Sequence, residues 1–180
     1  MSDNISSICK SANFHLRNIG RIRKYISEDS CNILVHSVIT SRLDYANATL
    51  YGLPAHQLNR LQRILKNAAR LVTLCPSDSH MSTICSKLHW LPIKQRIDFK
   101  ILLLTFKALN NSAPLYIKDL LKPYNPSRTL RSSGDVLLTV PKIIHRTTGD
   151  RSFSYSAPKL WNNLPVQIRR IKELSALRVH

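Results

Sequence analysis

The stretch Leu88–Asn110, LHWLPIKQRIDFKILLLTFKALN, constrains the fold of this chain most. At about 100° per residue its apolar side chains go almost all the way round a helix. Ile93, Ile97, Ile101, Leu104 and Ala108 share one side, and Phe99, Leu102, Phe106 and Leu109 cover much of the rest. Arg96, Lys100 and Lys107 form a narrow basic stripe, within an arc of about 40°. A helix apolar on most of its circumference belongs inside a protein, with neighbours on several sides. Pro92 fits its first turn, where a missing N–H costs nothing. The expectation is a central core helix with one thin, wholly positive seam.

Upstream, residues 3–26 read as a first helix. Ile5, Ile8, Ala12, Ile19, Ile22 and Ile26 recur at helical spacing, with Lys10, Arg17, Arg21, Arg23 and Lys24 on the polar side. Ser27 or Asp29 can cap a second helix near 29–50, which turns Ile33, Leu34, Val38, Ile39, Leu43 and Leu50 inward. Gly52 offers its C-terminal stop. Pro54 begins a third helix, to about Thr73, with the cleanest amphipathic pattern in the chain. Leu58, Leu61, Ile64, Leu65, Ala68, Leu71 and Val72 fill one half of its wheel. Arg60, Arg63, Lys66 and Arg70 fill an arc of about 120° on the other, and no carboxylate on the helix neutralises them. A solvated face usually alternates signs; unbroken cations interleaved with Asn59 and Asn67 suit phosphates better.

Pro76-Ser77-Asp78-Ser79 reads as a turn, followed by a short helix from about His80 to Leu88. Pro114 starts another short helix through Leu121. From Lys122 the texture becomes loop-rich, and Val136–Val140 is the best strand candidate, paired with 142–146 or 128–131 as a small hairpin. Helix returns near Ser152–Asn163 and from Pro165 to about Ile171, and the uncapped end at Glu173–His180 reads as a truncation. The expected architecture is mainly α: a helical bundle around the central apolar helix, with a small β-hairpin in the C-terminal third. Its expected domains are 1–75, a helical bundle, and 76–180, an extension packed on it with a loop and hairpin segment near 122–150.

Charge narrows the partners. The 180 residues carry 27 Lys+Arg against 10 Asp+Glu, a formal +17, with 43% hydrophobic residues. That hydrophobic share excludes wholesale disorder, and the charge self-repels unless it faces a polyanion, so nucleic acid leads the partner classes. A membrane surface is the rival, but no apolar run approaches the roughly 20 residues of a spanning helix, and the first residues open no signal-peptide core. The expected setting is intracellular, nuclear or cytoplasmic and not secreted. Cys9, Cys31, Cys75 and Cys85 then read as reduced thiols.

Enzyme chemistry finds little support. A two-metal site needs two or three convergent carboxylates, and the eight Asp and two Glu are scattered singly. Asp44, Asp98 and Asp150 read as caps or ion-pair partners. No phosphate-binding glycine loop or nucleophile elbow is present. Cys75, His80, Cys85 and His89 have zinc-ligand chemistry but lack a tight paired-cysteine knuckle, so no metal and no other cofactor is expected. Trp161, between Leu160 and Leu164, reads as core rather than as a base-stacking platform. No small-molecule substrate is indicated. Arg128 and Arg131, in a Ser/Pro setting, are candidates for backbone contacts.

Several stretches in order carry a resemblance. They are Ser11–Ile19 (SANFHLRNI), Ser41–Tyr45 (SRLDY), Leu50–Pro54 (LYGLP), Leu61-Gln62-Arg63, Ala68–Val72 (AARLV), Leu88–Pro92 (LHWLP) and Ala157–Pro165 (APKLWNNLP). Together they resemble the C-terminal part of the reverse transcriptase of jockey-like non-LTR (LINE-type) retrotransposons. The resemblance implies that the chain begins just beyond the polymerase palm, that residues from about 5 to 74 correspond to the thumb, and that the rest is the downstream extension. The palm's catalytic aspartates and the endonuclease have no counterpart here, so no enzymatic activity is expected of this chain alone.

The expectation is therefore a non-catalytic fragment that holds the phosphate backbone of a template–primer duplex of RNA, DNA or hybrid. Its contacts would be Arg17, Arg21, Lys24, Arg60, Arg63, Lys66 and Arg70, with Arg96 and Lys100 in second place. The competing classes are a protein-interaction or scaffold module, docking the missing polymerase domains, and a degenerate transposon remnant without independent function.

Overall fold

The computed structural model describes residues 2–76, 80–125, 136–143 and 149–171. The chain is mainly helical and divides into two compact units, Met1–Ile97 and Asp98–His180. None of the helices among the described residues is long and apolar enough to cross a membrane.

The first unit is built on α1 (Ser2–Ile22), which tightens into a 3₁₀ turn at Arg23–Tyr25. Ser27 then caps α2 (Glu28–Val35): its hydroxyl accepts from the Ser30 N–H at 3.2 Å, satisfying one of the orphan donors of the first turn. α2 runs without a break through a π-helical turn, His36–Thr40, into α3 (Ser41–Asp44). Ala46 in the left-handed region turns the chain into a second 3₁₀ turn, Asn47–Leu50. α4 (Ala55–Thr73) starts behind Pro54, and α5 (Met81–Lys87) follows. Ile5, Ala12, Cys31, Val35, Ile39, Leu61, Leu65, Ala68 and Val72 are enclosed and form the core of this unit.

Contacts fix how these helices run. Arg60 donates to the Ser6 hydroxyl at 3.1 Å near the start of both α1 and α4. Arg23, just beyond α1, reaches the Leu71 and Val72 carbonyls at the end of α4. α1 and α4 are therefore parallel, with Ser6 beside Arg60 at one end and Arg23 beside Leu71 and Val72 at the other. Cys31 lies 4.0 Å from the Leu71 carbonyl, while residues 37–45 line a groove with residues 4–11, so α2–α3 runs back against both.

Arg23 corrects its assignment to the polar side of the first helix. On the helical wheel it sits in line with Ile5, at the centre of the buried face, and it is only 8% exposed. Its guanidinium donates to Leu71 O at 2.8 Å, Val72 O at 2.7 Å and Ile26 O at 2.9 Å. α4 ends on Leu74, with φ 53°, where glycine would be the easy residue. The last carbonyls of α4 are thus satisfied by a side chain from another segment.

Gly20 gives a first prediction. It is exposed within α1, and a Cβ there would meet only Leu71 Cδ1, at an ordinary 3.9 Å. Gly20→Ala removes the helix penalty of glycine, so it should raise stability by about 0.5–1 kcal/mol. A shift of the urea midpoint to higher concentration at unchanged slope is the expected readout.

The Leu88–Pro92 segment is pinned on the same unit. Trp90, 4% exposed, donates its indole N–H to His36 Nε2 at 3.1 Å, with the rings edge to face. Gln62 accepts the Ile93 N–H at 2.9 Å, capping the first turn of α6 (Ile93–Leu109) from outside it. Arg96 donates to the Leu91 carbonyl at 2.7 Å and pairs with Asp44 at 2.8 Å. Since His36 Nε2 is an acceptor, its ring proton sits on Nδ1. Burial of the edge against Trp90, and then the charge of Arg96, lower the His36 pKa below its usual 6.5, with Asp44 acting the other way.

A second prediction follows. A histidine whose folded pKa is depressed contributes stability that is present above the unfolded value, 6.5, and is lost as pH falls through the folded value. Thermal midpoints measured downward from pH 7.5 should therefore decline below about 6.5. His36→Gln, which keeps an acceptor but does not titrate, should flatten the decline relative to the native chain.

In the second unit, Ile101, Thr105, Phe106 and Ala108 of α6 are buried, and the enclosed line continues the Ile93–Ile97 face. The helix is less covered than its composition implies: Phe99 is 54% exposed and Leu102, Leu103 and Leu104 are half-buried. α7 (Leu115–Lys118), α8 (Phe153–Asn162) and α9 (Val166–Arg169) complete the described elements.

The expected hairpin is not supported. Among the described residues there is no strand, only a single antiparallel bridge between Pro123 and Leu138, with Tyr124 N–H on Leu137 O and Thr139 N–H on Lys122 O. The partner of 136–140 is therefore 122–124. The expected partners 128–131 and 144–146 lie outside the described residues. Pro123 has no N–H to extend a ladder. Opposite it, the Asn162 amide takes both backbone groups of Leu138, accepting from its N–H at 3.0 Å and donating to its carbonyl at 2.8 Å. A side chain occupies the position of the next strand. Trp161, 2% exposed, adds a bond from its indole N–H to Val136 O at 2.8 Å. The Leu160–Asn163 stretch thus holds the backbone of 136–138.

Candidate nucleic-acid interface

The parallel pairing of α1 and α4 decides where their cations lie. On α1, Lys10, Arg17 and Arg21 and the following Lys24 fall within about 60° of one another, next to the Ser6 and Asn13 edge that faces α4. On α4, Arg60 stands at the α1 side, and Arg63, Arg70 and Lys66 follow outward across the exposed surface. Two basic stripes therefore border one groove.

That groove is open, with a volume of about 650 Å3, and is lined by Lys10, Asn13, Leu16, Arg17, Asn67 and Leu71. The register repeats: Ser6 meets Arg60, and one heptad later Asn13 stands opposite Asn67. Lys10 and Arg17, two helical turns apart, are separated by about 10 Å along the axis.

The individual cations differ in freedom. Arg17, Arg21, Lys24, Arg63 and Lys66 are exposed, whereas Arg60 and Arg70 are half-buried. Lys24 lies 4.8 Å over the Tyr25 ring, an exposed cation–π contact. The ion pairs among the described residues include Lys87–Glu28 and Arg96–Asp44; neither draws on this face. Asp3, in the first turn of α1, favours the helix N-terminus there. The positive field reaches inward as well. Burial raises the Cys9 thiol pKa, while Arg60 and Arg63 pull it down.

Arg96 does not join the face, because its side chain is 13% exposed and committed to Asp44 and the Leu91 carbonyl. The pairing agrees with the reading of Asp44 as an ion-pair partner. Lys100 is exposed and belongs to the second unit. Arg128 and Arg131 lie outside the described residues. The groove adds Lys10, Asn13 and Asn67 to the candidate set. Their signal is one heptad step in each helix, Ser6 to Asn13 and Arg60 to Asn67, which acquires meaning only once the two helices are known to be parallel.

No group of three or more His, Cys, Asp or Glu among the described residues is arranged to hold a metal ion. Cys75, His80, Cys85 and His89 are all described, and His80 Nδ1 instead lies 2.7 Å from the Ser82 hydroxyl. Comparison with protein-family profiles, curated proteins and solved structures finds no match.

Proposed function

We propose that this is a nucleic-acid-binding module that holds a duplex by its phosphate backbone and performs no chemistry of its own. More particularly, we read it as the thumb and downstream extension of a LINE-type reverse transcriptase, engaging the template–primer duplex. One observation carries the reading: Lys10 and Arg17 of α1 line a groove whose other wall is Asn67 and Leu71 of the parallel α4, Arg63 and Lys66 are exposed further out on α4, and no carboxylate is among the lining residues. Phosphate contacts of this kind position a duplex without reading its bases. A neutral or mixed-sign face would give neither the attraction nor the expected salt dependence. The particular assignment rests on the ordered motifs from Ser11 to Pro165, and the class assignment does not depend on it.

The test is titration of the purified chain against labelled RNA–DNA hybrid, duplex DNA and single-stranded RNA of one sequence at low salt. The reading expects tightest binding to the hybrid. Equal or absent binding to all three would favour a protein-docking or remnant reading. Ile33 and Tyr45, 66% and 83% exposed, would then be the first places to look for a protein partner on this unit.

A further inference from the structure

Phosphates are common to RNA and DNA, so Lys10, Arg17 and the outer cations cannot tell the two apart. The middle of the groove can. Asn13 and Asn67 are both exposed and face each other across it. Neither amide is engaged in a hydrogen bond among the described residues. Each carries two N–H donors and an oxygen acceptor. Leu16 and Leu71 complete the lining with apolar surface, which can support a sugar ring but offers it no hydrogen bond. Lys10 and Arg17 bracket Asn13 along α1.

We infer that the groove seats one sugar–phosphate strand with a ribose between Asn13 and Asn67, and that these amides select RNA by its 2′-hydroxyl. This rests on the nucleic-acid reading above and adds to it the identity of the strand. The 2′-hydroxyl both donates and accepts, and a pair of carboxamides can satisfy both roles from opposite walls. A deoxyribose would present a methylene there instead, leaving two desolvated amides without partners, an unfavourable arrangement. The cations supply affinity, and the asparagines supply discrimination.

The experiment compares an RNA–DNA hybrid with the same hybrid made with 2′-fluoro RNA. The fluorinated strand keeps the phosphates and the ribose-like pucker but has no hydroxyl to donate. The native chain should bind the hydroxyl-bearing hybrid about tenfold more tightly, as expected when one or two hydrogen bonds are removed. Asn13→Ala/Asn67→Ala should bind both probes equally, with the salt slope and thermal midpoint of the native chain, since both side chains are on the surface. Equal affinities for the native chain, or an undiminished preference in the double variant, would overturn the inference while leaving salt-sensitive binding intact. Absence of salt-sensitive binding to either probe would overturn the parent reading and this one together.

Discussion

Replacing Arg17, Arg21, Arg63 and Lys66 together with alanine should weaken binding to RNA–DNA hybrid by about two to three orders of magnitude near 0.1 M salt. All four are exposed on α1 and α4, and Arg17 lines the groove between the two helices. Arg60 is left in place because it is half-buried on the Ser6 hydroxyl, and Arg70 because it is half-buried. Every phosphate that the variant no longer neutralises makes the plot of log affinity against log salt shallower by about 0.9. The variant should therefore bind with a slope shallower by about 3 to 4. Its stability should hold, since exposed substitutions away from special contacts usually change it by no more than about 0.5 kcal/mol. The control is a replacement of exposed lysines in the second unit, such as Lys118 and Lys122, which should leave the affinity for hybrid close to native.

The largest stability effect is expected two residues after Arg21, at Arg23. Arg23→Leu removes three hydrogen bonds to backbone carbonyls of Leu71, Val72 and Ile26. An unsatisfied buried group costs about 1–3 kcal/mol, and partial rehydration of the end of α4 offsets some of the total. A decrease of about 2–4 kcal/mol in urea denaturation is expected. Arg23→Lys should recover only part, because an ammonium cannot span three carbonyls in the plane of a guanidinium. Arg21→Leu is the comparison: it should leave stability nearly unchanged and weaken nucleic-acid binding instead. The pair separates a structural arginine from a surface one at neighbouring positions.

Arg23 also marks where sequence reading loses information. The helices themselves were legible. Ser27 caps α2 as its side-chain chemistry requires, Pro54 stands immediately before α4, and the α4 wheel divides into buried and basic halves as its periodicity indicates. A charged residue on an apolar face, however, looks like a polar residue until its carbonyl partners are known, and those partners lie 48 and 49 positions away. The central apolar helix was legible as a helix but not in its coverage, because periodicity identifies faces and says nothing of how many neighbours exist to cover them.

The β element failed for a related reason. A run of β-branched and leucine residues at 136–140 has strand character, but whether a ladder grows depends on what is opposite. Here a proline and the Asn162 side chain stand at the two places where strands would be. The basic face had the opposite history. Its members were readable one helix at a time, whereas their convergence on one groove, and the Asn13–Asn67 juxtaposition, follow from the parallel register of α1 and α4. Arg96 does not reach the face because a carboxylate in α3 captures it.

The measurement that bears most directly on the account is the salt dependence of hybrid binding by the native chain. Affinity for RNA–DNA hybrid, followed from about 50 to 200 mM salt, should fall steeply, with a log–log slope of roughly −4 or steeper if five or more phosphates are engaged. A slope near zero, at any affinity, would contradict the claim that the cations of α1 and α4 meet a phosphate backbone.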